Sequence, residues 1–139
     1  IFEEFRKLHI KEEGRETRSI KTWEAQYRSV INSEAFLVTA RINDKLISAG
    51  YFPISDRHCH YGSSASTRQM FDKPMFHGLL WKAILYAKSK SAYSFETGRD
   101  YIVSDSNKLD FVSTKELQIA KFKSGFGGKV RVIVNAKKP

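Results

Sequence analysis

At 139 residues, 41% of them hydrophobic and 28% charged, the chain suits one globular domain with its own core and is too apolar for a disordered or low-complexity segment. No apolar run approaches the roughly 18 to 20 residues of a membrane span, the charged opening Ile1 to Lys7 lacks the apolar stretch of a signal peptide, and the single cysteine, Cys59, excludes an internal disulfide or a multi-cysteine metal site. These features fit a reducing, cytoplasmic setting. The net charge is +9, and six of those nine excess charges fall in the last 27 residues, where Lys115, Lys121, Lys123, Lys129, Arg131, Lys137 and Lys138 face only Glu116. Such a field suits a phosphate-bearing partner, whether nucleotide, cofactor pyrophosphate or RNA end, and equally suits a solvated basic tail.

Ile1, Phe2, Phe5 and Leu8 recur at helical spacing, so the chain opens in a helix with one buried face. A polar loop, Lys11 to Lys21, leads to a second helix over Thr22 to Ser33, with Thr22 as its cap and Trp23, Tyr27, Val30 and Ile31 on one side. The period then changes. Phe36 to Ile42 and Lys45 to Phe52 read as strands joined by the tight pair Asn43-Asp44, and His58 to Ser63 extends the hairpin to a meander. Ser64 to Pro74 has turn residues and no sustained period.

From Phe76 to Lys90 the pattern is helical with Leu80, Ala83, Ile84 and Ala87 inward, and Ala92 to Thr97 reads as a short strand. Strand, helix, strand implies a crossover between parallel strands. Ser113-x-x-Glu116 is a capping box for a last helix that ends at Gly125, and Val130 to Val134 is a β-branched strand. The fold class is therefore α/β (α+β): a mixed, mostly antiparallel sheet with flanking helices, in one domain over residues 1–139. The first residue is Ile1 rather than Met, which leads us to expect a piece of a longer protein.

This element order is similar to that of the GNAT superfamily of N-acetyltransferases. Within it, Lys121-Phe122-Lys123-Ser124-Gly125-Phe126-Gly127-Gly128 resembles the ending of the FemAB-like branch. Phe95-Glu96-Thr97-Gly98-Arg99 resembles that branch's strand ending in Gly-Arg, and His9 through Gly14-Arg15-Glu16-Thr17-Arg18-Ser19 to Thr22-Trp23 resembles its loop and helix start. The resemblance implies acyl or aminoacyl transfer to an amine. In better-known members two such domains in tandem move an amino acid from aminoacyl-tRNA onto a cell-wall precursor. It also implies that this chain corresponds to the C-terminal domain, with a missing N-terminal domain and a cell-envelope precursor among its partners.

The cofactor stays open between aminoacyl-tRNA and acyl-CoA as donor. Relatives that use acetyl-CoA hold its pyrophosphate with a Gln/Arg-x-x-Gly-x-Gly/Ala loop, whereas here the corresponding stretch, Arg68 to Gly78, has no such glycine pattern. That departure counts against coenzyme A. Two alternatives stand beside the FemAB-like reading: an acetyl-CoA-dependent N-acetyltransferase with an unusual phosphate loop, and a module that keeps the fold without turnover and holds an anionic ligand such as RNA or a nucleotide-sugar.

Acyl transfer to an amine needs a held carbonyl, a deprotonated nucleophile, an oxyanion stabiliser and a proton acceptor, but no protein nucleophile. Lys123 is the candidate to neutralise a phosphate or oxyanion, or is only a helix-dipole lysine. Glu96 is the candidate proton acceptor, provided its strand buries it. Tyr101 is a candidate proton donor to the leaving group. Arg15 and Arg18, in a loop with Thr17 and Ser19, can grip phosphate or carboxylate, unless Glu12, Glu13 and Glu16 pair with them. Arg99 would emerge at the carboxyl edge of a strand expected to be central, Lys121 adds positive charge, and His77 stands beside Gly78 at a helix start. Trp23 and Trp81 read as core. His58 and His60 share a strand face but lack a third ligand, so no metal site is expected.

Overall fold

A computed structural model of the chain describes residues 1–70, 73, 75–98 and 113–131. They fall into two compact units, Ile1–Glu96 and Thr97–Pro139. No helix among the described residues is long and apolar enough to cross a membrane.

The first unit opens with α1 (Phe2–Glu13), which Gly14 closes in a left-handed conformation at φ 70°. Next comes α2 (Ile20–Ile31), capped by Ser19 rather than by Thr22: the Ser19 hydroxyl accepts from the Thr22 amide at 3.3 Å. The cap lies three residues earlier than the sequence reading because Ile20 begins the helix even though its side chain is 56% exposed. Trp23 and Phe5 are almost wholly buried and meet edge to face, with ring centroids 5.9 Å apart. Burial of aromatic side chains of this size contributes about 1.5 to 3 kcal/mol each.

The hairpin is as expected. β1 (Ala35–Ile42) and β2 (Lys45–Ser55) pair antiparallel around Asn43 and Asp44, at φ 46° and 60°. Both turn residues thus take the left-handed values that let a two-residue loop follow the strand twist. On its other edge β2 pairs in succession with β3 (His58–His60) and β4 (Ser63–Ser66). The sequence reading placed Ser64 onward in a turn region. Ser63, Ser64, Ala65 and Ser66 form β4 nonetheless: the Ser66 hydroxyl shares a 2.7 Å hydrogen bond with buried Ser48 and the Ser64 hydroxyl bonds that of Tyr61, so these two side chains are satisfied within the sheet.

After a 3-10 turn (Arg68–Met70), α3 (Met75–Ser89) crosses back to β5 (Ser94–Glu96), which runs parallel to β3 in the register His58↔Ser94, Cys59↔Phe95, His60↔Glu96. The crossover is therefore of the expected kind. The strand order is β1-β2-β3-β5, with β4 also on β2, so among the described residues β5 lies at the end of the sheet and not at its centre.

Alternation along β2 assigns the two faces. Ala49 and Tyr51 join Phe5, Trp23 and Ala65 beneath α1 and α2. Gly50 and Phe52 turn the other way, toward α3, where Leu79, Leu80, Ala83 and Ala87 are buried. Trp81 does not join them and is 52% exposed, since it sits about 100° around the helix from Leu80.

In the second unit α4 (Thr114–Ser124) starts with the capping box read from the sequence, the Ser113 hydroxyl accepting from the Glu116 amide and the Glu116 carboxylate from the Ser113 amide. It stops at Gly125 as expected, but Gly125 is still right-handed, and the left-handed turn comes at Gly127, φ 77°. Of the expected closing strand, Val130 and Arg131 carry no regular structure and the remainder lies outside the described residues.

Candidate active site

Among the described residues the sheet parts after His60 and Glu96. β3 and β5 pair side by side through His60 and Glu96, and the last bond between them is the Tyr61 amide to the Glu96 carbonyl at 2.8 Å. Gly62 then donates to the Tyr51 carbonyl at 3.0 Å, and β4 continues along β2 without a partner on its outer edge among the described residues. Thr67 donates to the Ile47 carbonyl at 2.9 Å. Antiparallel bonding alternates every second residue, so the amides and carbonyls of Ser64 and Ser66 point outward along that open edge. Glycine is required at the break: a Cβ on Gly62 would lie 2.8 Å from the Tyr51 ring.

The open edge leads to the start of α3. The Met75 amide at that start donates to the Lys73 carbonyl at 2.7 Å, and the helix start carries the positive end of its dipole. Arg68 and Lys73, both exposed, flank the entry, and Gly78 has open space where a side chain would be. Tyr61 lies across the break, its hydroxyl on Ser64 and its ring against Phe52 and Phe76; burial raises its pKa, partly offset by the Ser64 bond. Sequence reasoning passed over Tyr61 and the open edge. A glycine following an alternating strand, as in His58-Cys59-His60-Tyr61-Gly62, was the available signal of a bulge or break.

Cys59 points toward α3, is buried, and has its thiol pushed up to about 12 by desolvation, so it is no nucleophile. His58 and His60 share the opposite, exposed face. No group of three His, Cys, Asp or Glu side chains among the described residues could hold a metal ion.

The other sequence candidates are dispersed. Glu96 reaches the break, but its side chain is exposed, so the burial on which its role as proton acceptor depended is missing. Arg18 is turned inward instead of toward a ligand. Its guanidinium donates to His9 Nε2 at 2.8 Å and to Thr17 Oγ1 at 3.1 Å, and it lies 5.4 Å from the centre of the Trp23 ring. His9 is buried; desolvation, then the Arg18 charge, lowers its pKa. Arg15 is exposed in the same loop, with no hydrogen bond or ion pair to a described residue. Of the glutamates expected to pair with these arginines, Glu12 accepts from the Arg68 amide at 3.0 Å and Glu16 pairs with Arg6 at 3.3 Å. His77 is exposed in the first turn of α3.

Lys121 and Lys123 belong to the second unit. Lys121 is exposed, whereas the Lys123 ammonium lies against Gly98 so closely that a Cβ there would be 2.7 Å from its Nζ. Gly98 itself adopts φ 97°. Arg99 and Tyr101 lie outside the described residues.

No family model and no curated protein matches the chain by sequence. Solved structures do. An aminoglycoside 6'-N-acetyltransferase from Acinetobacter haemolyticus aligns over 99% of this chain and 92% of its own, with a TM-score of 0.64 at 13% identity. The acetyltransferase AAC(6')-Iy, solved with the bisubstrate analogue CoA-S-monomethyl-acetylneamine, covers the same shares with a TM-score of 0.69 at 11% identity. A ribosomal-protein-alanine N-acetyltransferase from Brucella melitensis gives 0.63 at 10% identity, again over 99% and 92%. With an antiparallel sheet that ends in one parallel pair, and helices on both faces, the chain has the fold of the GNAT N-acetyltransferases.

Proposed function

We propose that the protein is an N-acyltransferase that moves an acetyl or similar acyl group from coenzyme A to an amine. The observation that carries this reading is the open edge of β4, where outward-pointing backbone groups of Ser64 and Ser66 run from the break at Gly62 toward the start of α3. An unpaired edge binds an extended, amide-bearing chain by strand addition, and a helix start flanked by cations binds phosphate. The pantetheine arm and the phosphates of coenzyme A offer those two features in that order.

The residues present fit such a donor. Ser64 and Ser66 would pair with the arm, the first amides of α3 with Arg68 and Lys73 would face the phosphates, and the donor would supply an activated thioester carbonyl. The missing glycines between Arg68 and Gly78, which the sequence reading counted against coenzyme A, are offset by those two cations and by the space at Gly78. Acyl-CoA is preferred to aminoacyl-tRNA as donor because a neighbour of the same fold holds a CoA-containing analogue. The amine-bearing acceptor is read from the same neighbours, whose names specify aminoglycosides and a protein alanine.

The test is to offer the protein acetyl-CoA and aminoacyl-tRNA in parallel with a panel of amines, and to identify products by mass. Acetylated product from acetyl-CoA alone is expected. Aminoacylated product only would restore the FemAB-like reading, and tight, salt-sensitive RNA binding without any product would favour the non-catalytic module.

A further inference from the structure

The acyl-transfer reading leaves the proton acceptor unassigned, because the role expected of Glu96 rested on a burial that the structure does not give it. The same strands offer another group. Cys59 and Phe95 turn toward α3, so His58, His60, Ser94 and Glu96 form a polar row on the face that carries α1 and α2. Those helices leave the row uncovered: His58, His60 and Glu96 are all exposed.

Position separates the two histidines. His58 Nδ1 is engaged by Ser94 Oγ at 2.6 Å. His60 has no hydrogen-bond partner among the described residues and is the last residue of β3 before the strands part, in register with Glu96. A group there stands at the point where a strand-like donor arm laid along β4 would end, and on the opposite side of the sheet from α3. Imidazole is also the side chain whose intrinsic titration falls between pH 5 and 8.

We propose that His60 is the proton acceptor for the attacking amine, with Glu96 beside it to favour the imidazolium that forms. This assignment rests on the acyl-transfer reading. As the nitrogen–carbon bond forms and the thioester carbon–sulfur bond breaks, the sulfur keeps the bonding pair and takes a proton from water. His60 takes the proton lost by nitrogen and returns it to solvent. The titratable groups facing His60 are His58 on its own strand and Glu96 on β5; β2 presents only Pro53 and Ser55 on that face.

The full chain carries the test, with acetyl-CoA and sisomicin or a lysine-ended peptide as acceptor. His60→Gln should fold and melt like the parent, lower kcat/KM about 100-fold at pH 7, and abolish the rising limb of its pH profile. Proton NMR of the free parent should show the His60 ring titrating at the midpoint of that limb, and added imidazole should partly restore His60→Ala. His58→Gln should keep the limb. A variant at residue 60 that retains the parent's limb and rate, or a His60 midpoint away from the limb, would overturn the assignment while leaving acyl transfer intact. A folded parent that turns over neither amine would remove the reading on which it rests, and the assignment with it.

Discussion

Gly50 has no room for a side chain. A Cβ there would lie 2.7 Å from the Phe52 ring and 3.0 Å from Leu79, so Gly50→Ala should destabilise the protein by about 1 to 3 kcal/mol in urea unfolding. A parent-like midpoint would mean that α3 does not pack so closely on β2. His9 gives a second prediction, in pH. Its folded pKa is depressed, by desolvation first and the Arg18 charge second, with Glu13 opposing. The unfolded chain therefore binds the proton more readily, and stability is lost as pH falls below the ordinary imidazole value of about 6.5. His9→Gln should flatten that part of the stability profile between pH 7 and 5, and an unchanged slope would show that His9 does not carry it. The pairing of Arg18 with His9 was not legible in the sequence: the two are nine positions apart across a helix end, and spacing does not show which way a loop arginine turns. Glu96 misled for a related reason, since alternation assigns it a face but not whether anything covers that face.

Helices and turns were legible where local chemistry decides them. The left-handed pair Asn43 and Asp44, the capping box at Ser113 and the apolar face of α3 each declare themselves within a few residues. The cap of α2 was misplaced because Ser19 and Thr22 are both good caps, and only the fold shows that the helix begins at Ile20. Ser19→Ala should therefore cost about 0.5 to 2 kcal/mol, while Thr22→Ala should cost less; the reverse order in thermal melts would restore the sequence reading. Leu80, wholly buried on the inner face of α3, should cost about 2 to 5 kcal/mol on replacement by alanine. β4 was missed because its serines have low strand propensity, and what makes them a strand is pairing with β2 and the Ser66 bond to Ser48, both distant in sequence.

For the whole molecule, element order was legible and correctly pointed to the N-acetyltransferase fold, whereas the proposed site was not, because it is made by a strand edge that has no partner among the described residues. The basic residues that drew attention first, Lys121 and Lys123, lie in the unit that begins at Thr97, while the edge, the break and His60 lie in the unit that ends at Glu96. The central claim is that β4 receives the donor. Amide hydrogen exchange on the intact chain, with and without saturating acetyl-CoA, tests it most directly. Slower exchange at Ser64 and Ser66 and in the first turn of α3, together with a raised melting temperature, is the predicted result. Unchanged exchange at those amides at millimolar acetyl-CoA would contradict it.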